Sequence, residues 1–274
     1  MTDAGAYVHG YDPREGERLQ DQAGTLADLL HAGTAYAPGR RVLEAGCGVG
    51  AQTVALAARS PGAQFTAVDV SAASLAQAEA AVKAAGCRNV RFQQADILAL
   101  PFAPQSFDDV FVCFVLEHLA RPADALAALL ALLKPGGTLT AIEGDHGSTF
   151  FHPDSAAARA VIACQVELQR RAGGNAMIGR TLHPLLTEAG LDGVQVAPRM
   201  VYVDGSRPDL ADGFTRRTFA AMVAGVRGGA IGAGLTTAAA FDEGVRGLHR
   251  AAEPDGVFCC PFFRGVGVKR PGRR

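Results

Sequence analysis

The chain has 274 residues, 49% hydrophobic and 19% charged, with a formal net charge of −1. That is enough apolar material for one large domain or two small ones, and it excludes a disordered chain. The near-neutral balance argues against nucleic acid or an anionic membrane surface as partner, since both call for a basic surplus.

Residues 1–12, MTDAGAYVHGYD, carry no basic or apolar leader region, so no secretory signal is expected. Asp12-Pro13-Arg14-Glu15 predicts a helix start, with Asp12 as cap and Glu15 reaching back. Leu19, Ala23, Leu26, Leu29 and Leu30 follow at helical spacing until Gly33. From Arg41 onward extended and helical segments alternate. Strands are predicted at 41–45, 64–69, 90–94, 108–114 and 138–143, and helices at 51–59, 72–85 and 122–133. Strands separated by helices imply parallel pairing with right-handed crossovers, so the first 145 residues read as a doubly wound α/β sheet. Beyond them, 154–172 and 180–189 read as helical and 193–203 as extended. Two helices interrupted by GVRGGAIGAG occupy 208–251, and 256–268 is extended again. The expected architecture is a seven-stranded, mostly parallel, Rossmann-like sheet. It divides into an N-terminal helical segment (1–39), an α/β core (40–203), a helical insertion before the last strand (204–255), and that strand with a basic tail (256–274). The tail, Lys269-Arg270-Pro271-Gly272-Arg273-Arg274, is short and reads as a frayed end.

Six cysteines, at 47, 87, 113, 164, 259 and 260, form no C-x-x-C pair. That pattern suits reduced thiols in the cytoplasm better than a disulfide frame or a zinc site. No run of about 20 residues is uniformly apolar, so no membrane span is expected.

The stretch VLEAGCGVGAQT (42–53) sets Gly46, Gly48 and Gly50 between the first strand and the next helix. That is the carboxyl edge of the sheet, where open α/β folds bind ligands. Backbone without side chains lets a ligand approach closely, with the helix N-terminus aimed at it. The spacing alone does not choose the ligand. Gly46-x-Gly48-x-x-Ala51, with Asp69 about 20 residues on, also meets the loose dinucleotide fingerprint, and NAD stays open on this feature.

Glu44-Ala45-Gly46-Cys47-Gly48-Val49-Gly50 resembles the E-x-G-x-G-x-G signature of class I S-adenosylmethionine-dependent methyltransferases. The resemblance runs through Asp69, Gln94-Ala95-Asp96-Ile97, Pro101-Phe102, Ser106-Phe107-Asp108 and Leu116-Glu117-His118-Leu119 to Leu133-Lys134-Pro135-Gly136-Gly137. Its flavour is the small-molecule branch that includes ubiquinone and menaquinone methyltransferases. It implies S-adenosylmethionine as cofactor. Asp69, with Val70 beside it, would accept both ribose hydroxyls, and Asp96, with Ile97, would take the adenine amine or hold the loop that does. Gly46, Gly48 and Gly50 would give room to the methionine moiety, Glu44 would meet its ammonium or orient the loop, and Gln52 would cap the loop or face solvent. Phe114 and His118 would wall the other side, and Tyr11 would reach the donor's carboxylate. A pyrophosphate would sit poorly beside Glu44, and Asp96 has no task towards NAD, which favours the methyl donor.

Methyl transfer needs no protein nucleophile. Placing acceptor and methyl in line in a dry pocket supplies most of the acceleration, and a base matters only where the acceptor loses a proton. The stretch IEGDHGSTFFHPD (142–154) follows the fifth strand at the same edge. His146 is the general-base candidate, with Asp145 or Glu143 to orient it; no metal is expected. The 204–255 insertion reads as a substrate cap, with Phe214, Phe219, Phe258, Phe262 and Phe263 as an aromatic wall. Arg180, Arg216 and Arg217 are available to an acidic group. The function expected is methyl transfer to an O, N or C atom of a small molecule, by a protein compatible with a homodimer. A nucleic-acid or protein methyltransferase, an NAD-dependent oxidoreductase and a non-catalytic cofactor-binding protein are the rivals.

Overall fold

The computed structural model describes residues 26–270. Eight strands form one sheet: β1 (Arg41–Ala45), β2 (Gln64–Asp69), β3 (Val90–Gln94), β4 (Phe107–Cys113), β5 (Leu133–Gly144), β6 (Phe150–His152), β7 (Leu191–Asp204) and β8 (Val257–Lys269). The order is β3-β2-β1-β4-β5-β8, and β8 also pairs with β6 and β7. The first five strands run parallel, whereas β8 is antiparallel to all its neighbours. The seven expected strands are all present. The eighth, β6, is three residues long and lies where the sequence suggested only loop. It extends the β5 side of the sheet by pairing Phe151 with Phe258.

Strand order reverses between β1 and β4, which opens a crevice at their carboxyl ends. Helices follow as crossovers: α1 (Ala51–Arg59), α2 (Ala72–Ala84), α3 (Pro122–Leu132), α4 (Ala156–Arg171) and α5 (Leu182–Glu188). Two of these start on hydroxyl caps. Ser71 accepts the Ser74 amide at 3.1 Å and Ser155 accepts the Ala158 amide at 3.1 Å.

Alternation along the strands sorts the core onto two faces. Leu43, Ala45, Val110, Val112, Leu139 and Ala141 pack with α3 and α5. Val42, Phe111, Cys113 and Ile142 point the other way, to Leu26, Leu30, α1, α4 and the insertion. Glu44 shares that second face by the same alternation.

The insertion contains a continuous helical run, α6 (208–225), whose middle section Ala211–Ala220 is wound as a π-helix, then α7 (Arg227–Gly232) and α8 (Ala238–Arg250). Its α7 falls inside the glycine-rich stretch that read as an interruption. Gly244 and Gly247 let α8 approach α4, because a Cβ at either would strike Val161, Ala157 or Ser155. Phe214, Phe219 and Phe241 are buried from the insertion into the same cluster as Phe111 and Ile142, each such side chain contributing about 1.5–3 kcal/mol. No helix among the described residues is long and apolar enough to cross a membrane.

Candidate donor and acceptor site

The bend after β1 is built on positive φ at Gly46 (74°), Gly48 (51°) and Gly50 (79°). Three different constraints act there. A Cβ on Gly46 would strike the Val115 side chain, and one on Gly50 would lie 2.8 Å from Ala78 Cα, so both glycines permit close packing. A Cβ on Gly48 would meet no described atom within 4 Å, so that position opens onto the crevice. The loop is pinned to β2, where Val68 O accepts the amides of Gly46 (2.8 Å) and Cys47 (2.9 Å). Asp69 ties the bend to the start of α2: Oδ2 accepts the Gly48 amide at 2.8 Å and Oδ1 the Ser71 amide at 2.9 Å.

Glu44 is 2% exposed, two residues before the bend. Burial pushes its carboxyl up to about 8, with the Asp69 charge adding to the rise and the Thr53 hydroxyl working against it. Its Oε2 has no hydrogen-bond partner among the described residues. A sealed carboxyl oxygen lacking a partner costs about 1–3 kcal/mol.

The remaining expected contacts fall around this centre at different depths. Val70 and Asp96 are exposed, Asp96 Oδ1 taking the Leu98 amide at 2.9 Å, while Ile97 packs against the α3 side of the core. Gln52 Oε1 is engaged by His31 Nε2 and so turns into the domain. Phe114 adopts φ 56° at the end of β4, an unusual conformation for a bulky residue. Its amide donates to Ile142 O at 2.9 Å, and its ring lies 5.3 Å from that of Phe262. That kink delivers Val115 onto Gly46. His118 Nε2 lies 3.6 Å from Glu117 Oε1. Tyr11 lies outside the described residues.

After β5, the pairings differ from the expected ones. Glu143 does not orient His146: its Oε1 accepts the amides of Val115 (3.1 Å) and Leu116 (2.9 Å), bracing the kink after β4. Burial and the neighbouring Glu117 carboxylate drive its carboxyl well up. Asp145 is held by a bidentate Arg180 (2.7 and 2.7 Å) and by the Ser148 hydroxyl (3.0 Å), which also removes Arg180 as a free anion receptor. Arg216 pairs with Glu253 and Arg217 with Asp212. The partner of His146 is Gln165, whose Oε1 lies 3.3 Å from Nδ1. Sequence reasoning missed it. The available signal was a glutamine at helical spacing from Ala158, Val161 and Ile162, a polar residue on the apolar stripe of a predicted helix. Phe214, Phe219, Phe258 and Phe262 are buried together, and the His146 and Phe219 ring centres lie 5.8 Å apart with the rings nearly perpendicular. Phe263 packs on the opposite face of the sheet.

Residues 42–137 match the family described as Methyltransferase domain. The trans-aconitate 2-methyltransferase of Deinococcus radiodurans is 33% identical over 192 residues, which cover 67% of this chain and 69% of that protein. The demethylmenaquinone methyltransferase of Thermus thermophilus is 38% identical over 104 residues, 38% of this chain and 47% of that protein. Against five curated relatives, that one included, the chain spans only 24–54% of their length. Among solved structures, the YcgJ protein of Bacillus subtilis superposes with a TM-score of 0.58 at 18% identity, over 91% of this chain and 99% of that one. The Haemonchus contortus phosphoethanolamine N-methyltransferase 2, solved with phosphomonomethylethanolamine and S-adenosylhomocysteine, gives 0.56 at 19% identity, over 90% of this chain and 53% of that one.

Proposed function

The chain belongs to the S-adenosylmethionine-dependent methyltransferases, and from that premise we propose that it methylates an oxygen, nitrogen or carbon atom of a small molecule in the cytoplasm. The observation that carries the reading is Glu44: a buried carboxyl with one unpaired oxygen, two residues before a bend that is open at Gly48. A donor with an ammonium group suits that oxygen, because a nearby cation favours the ionised carboxylate that burial opposes, whereas a pyrophosphate would set negative charge beside Asp69. The residues present therefore fit S-adenosylmethionine. Glu44 would hold its ammonium, Asp69 the ribose hydroxyls and Asp96 the adenine amine, with Gly46, Gly48 and Gly50 beneath the methionine moiety. Val70, Ile97, Phe114 and His118 would complete the walls.

When bound, the donor supplies a methyl group on a positively charged sulfur. The chain's own contribution is position and proton handling. Glu143 braces the backbone at Val115 and Leu116, which fixes one wall. The aromatic cluster around Phe219 and Phe262 keeps water out, which strengthens electrostatic contacts inside. His146 takes the acceptor's proton, an effect of about 10²–10⁴-fold where one is lost. A small acceptor is favoured by the net charge of −1 and by the names of two matched relatives, a demethylmenaquinone methyltransferase and a trans-aconitate 2-methyltransferase. The cytoplasmic placement draws support from six cysteines that all remain thiols.

Titration calorimetry with S-adenosylhomocysteine tests the reading. Binding is expected, and Asp69→Ala should weaken it about 100-fold, the worth of two charge-assisted hydrogen bonds. Binding of NAD(H) in its place would overturn the assignment.

A further inference from the structure

Helix α4 carries two glutamines one turn apart on its buried face. Gln165 is 0% exposed and Gln169 1%. A primary amide has two donors and an acceptor oxygen, and each buried group left unmet costs about 1–3 kcal/mol. Two such residues in an apolar stripe need partners, and here the partners form a chain with a fixed direction.

The direction is set at one end by a group that can only accept. Gln169 Nε2 donates to the main-chain oxygen of Glu117 at 3.0 Å, with the Glu117 Oε2 atom 3.4 Å away. A carbonyl oxygen has no proton, so the nitrogen of Gln169 must face it. Oε1 of Gln169 then faces Gln165, whose Nε2 donates to it at 2.8 Å. That leaves Oε1 of Gln165 facing His146 Nδ1 at 3.3 Å. An amide oxygen only accepts, so the proton in that contact belongs to Nδ1. The anchor is itself built in. Glu117 O also accepts the Asn175 amide at 2.7 Å, and a Cβ on Gly174 would strike that oxygen and crowd Gln169 Cγ at 3.1 Å.

We infer that Gln169 and Gln165 are positioning residues that hold His146 as its Nδ1–H tautomer, so that the basic lone pair sits on Nε2. This deepens the proposed function and rests on His146 as the proton acceptor. Nε2 lies at the end of β5, where a Cβ on Gly144 would come within 3.1 Å of it, and the ring stands nearly perpendicular to that of Phe219. The carboxylate next to His146 in sequence is already engaged. Asp145 is closed by Arg180 and Ser148, and Glu117 and His118 lie beyond Gln169. A neutral amide is therefore what selects the tautomer. The 3.3 Å contact is slack, as is common for catalytic hydrogen bonds before substrate arrives.

The test is long-range 1H–15N correlation NMR on the full chain with 15N-labelled histidine, at a pH where the ring is neutral and without ligand. The His146 signals are those lost in His146→Ala. The expected spectrum has the protonated-nitrogen shift on Nδ1 and the bare-nitrogen shift on Nε2. Gln165→Met, close in shape and compatible with the helix, should lose that preference, with Nε2–H becoming populated. Gln165→Glu should keep Nδ1–H, because a carboxylate oxygen also accepts. An Nε2–H ring in the parent protein overturns the inference, as does an unchanged Nδ1–H ring in Gln165→Met. S-adenosylhomocysteine is then titrated into the same samples. Absent chemical-shift changes would sink the donor assignment while leaving the tautomer result standing, so the two failures are told apart.

Discussion

Glu44→Gln should remove a pH dependence of stability that the native chain carries. The ordinary carboxyl value is 4.5 and the folded value about 8, a rise caused mainly by burial. Below 4.5 the group is protonated whether the chain is folded or not, so it costs nothing. Between 4.5 and 8 the unfolded chain releases the proton and the folded chain keeps it, so stability falls by about 1.4 kcal/mol per pH unit. Above 8 the loss is complete. From pH 5 to pH 8 the ligand-free native protein should therefore lose about 3–4 kcal/mol relative to the glutamine variant. Against a total of about 5–15 kcal/mol, that difference is large. Urea unfolding of both proteins at several pH values, each without ligand, gives the difference directly, and the subtraction cancels every other titrating group. Saturating S-adenosylhomocysteine should shrink the difference, because an ammonium beside Oε2 favours the ionised form. Stability curves that run parallel from pH 5 to pH 8 would refute the picture of a buried, neutral carboxyl beneath the bend.

Gly50→Ala should destabilise the fold by about 3 kcal/mol or more, since positive φ and a 2.8 Å approach to the Ala78 backbone act together. Gly48→Ala meets only the φ penalty, about 1–2 kcal/mol, and should show its larger effect on S-adenosylhomocysteine affinity; chemical denaturation and calorimetry would expose a reversed ranking. Arg180→Met strands the buried Asp145 carboxylate. Because Arg180 is itself half-exposed, the loss should be about 1–3 kcal/mol rather than that of a fully sealed pair. Arg180→Lys should recover only part of it, since one ammonium cannot make the bidentate contact; full recovery in a thermal melt would contradict the geometry.

The alternation of short apolar runs and helical stretches was enough to place β1–β5 within a residue or two, except that β5 starts earlier than predicted, at Leu133. It also anticipated β7 and β8, because strand periodicity and glycine punctuation are local signals. β6 was illegible because three residues carry no period, and its partner Phe258 lies over 100 positions away. Within the site, the bend and its two carboxylates were readable from spacing, but the protonation of Glu44 was not, since it depends on burial that only the assembled sheet creates. The partner of Asp145 lies 35 residues on, across α4, and His146 had three nearer acids to choose from. Proximity in sequence favoured Asp145 and Glu143, while the fold had already committed both elsewhere.

The insertion separates two properties that a detachable cap would join. Its Phe214, Phe219 and Phe241 lie in one cluster with Val42, Phe111 and Ile142 from the parallel strands. Under the proposed function, the acceptor's wall and the domain's core are then the same material. Truncating Phe219 would cost about 3–5 kcal/mol, a large share of the total stability, before any effect on acceptor choice could be read. Removing 204–255 would strip a face of the sheet and unfold the chain rather than broaden its specificity. Changes of acceptor must therefore enter at the margin of the cluster, where side chains are only partly buried. Phe114 stands there, half-buried on a backbone kink and packed against the edge of the cluster, 5.3 Å from the Phe262 ring.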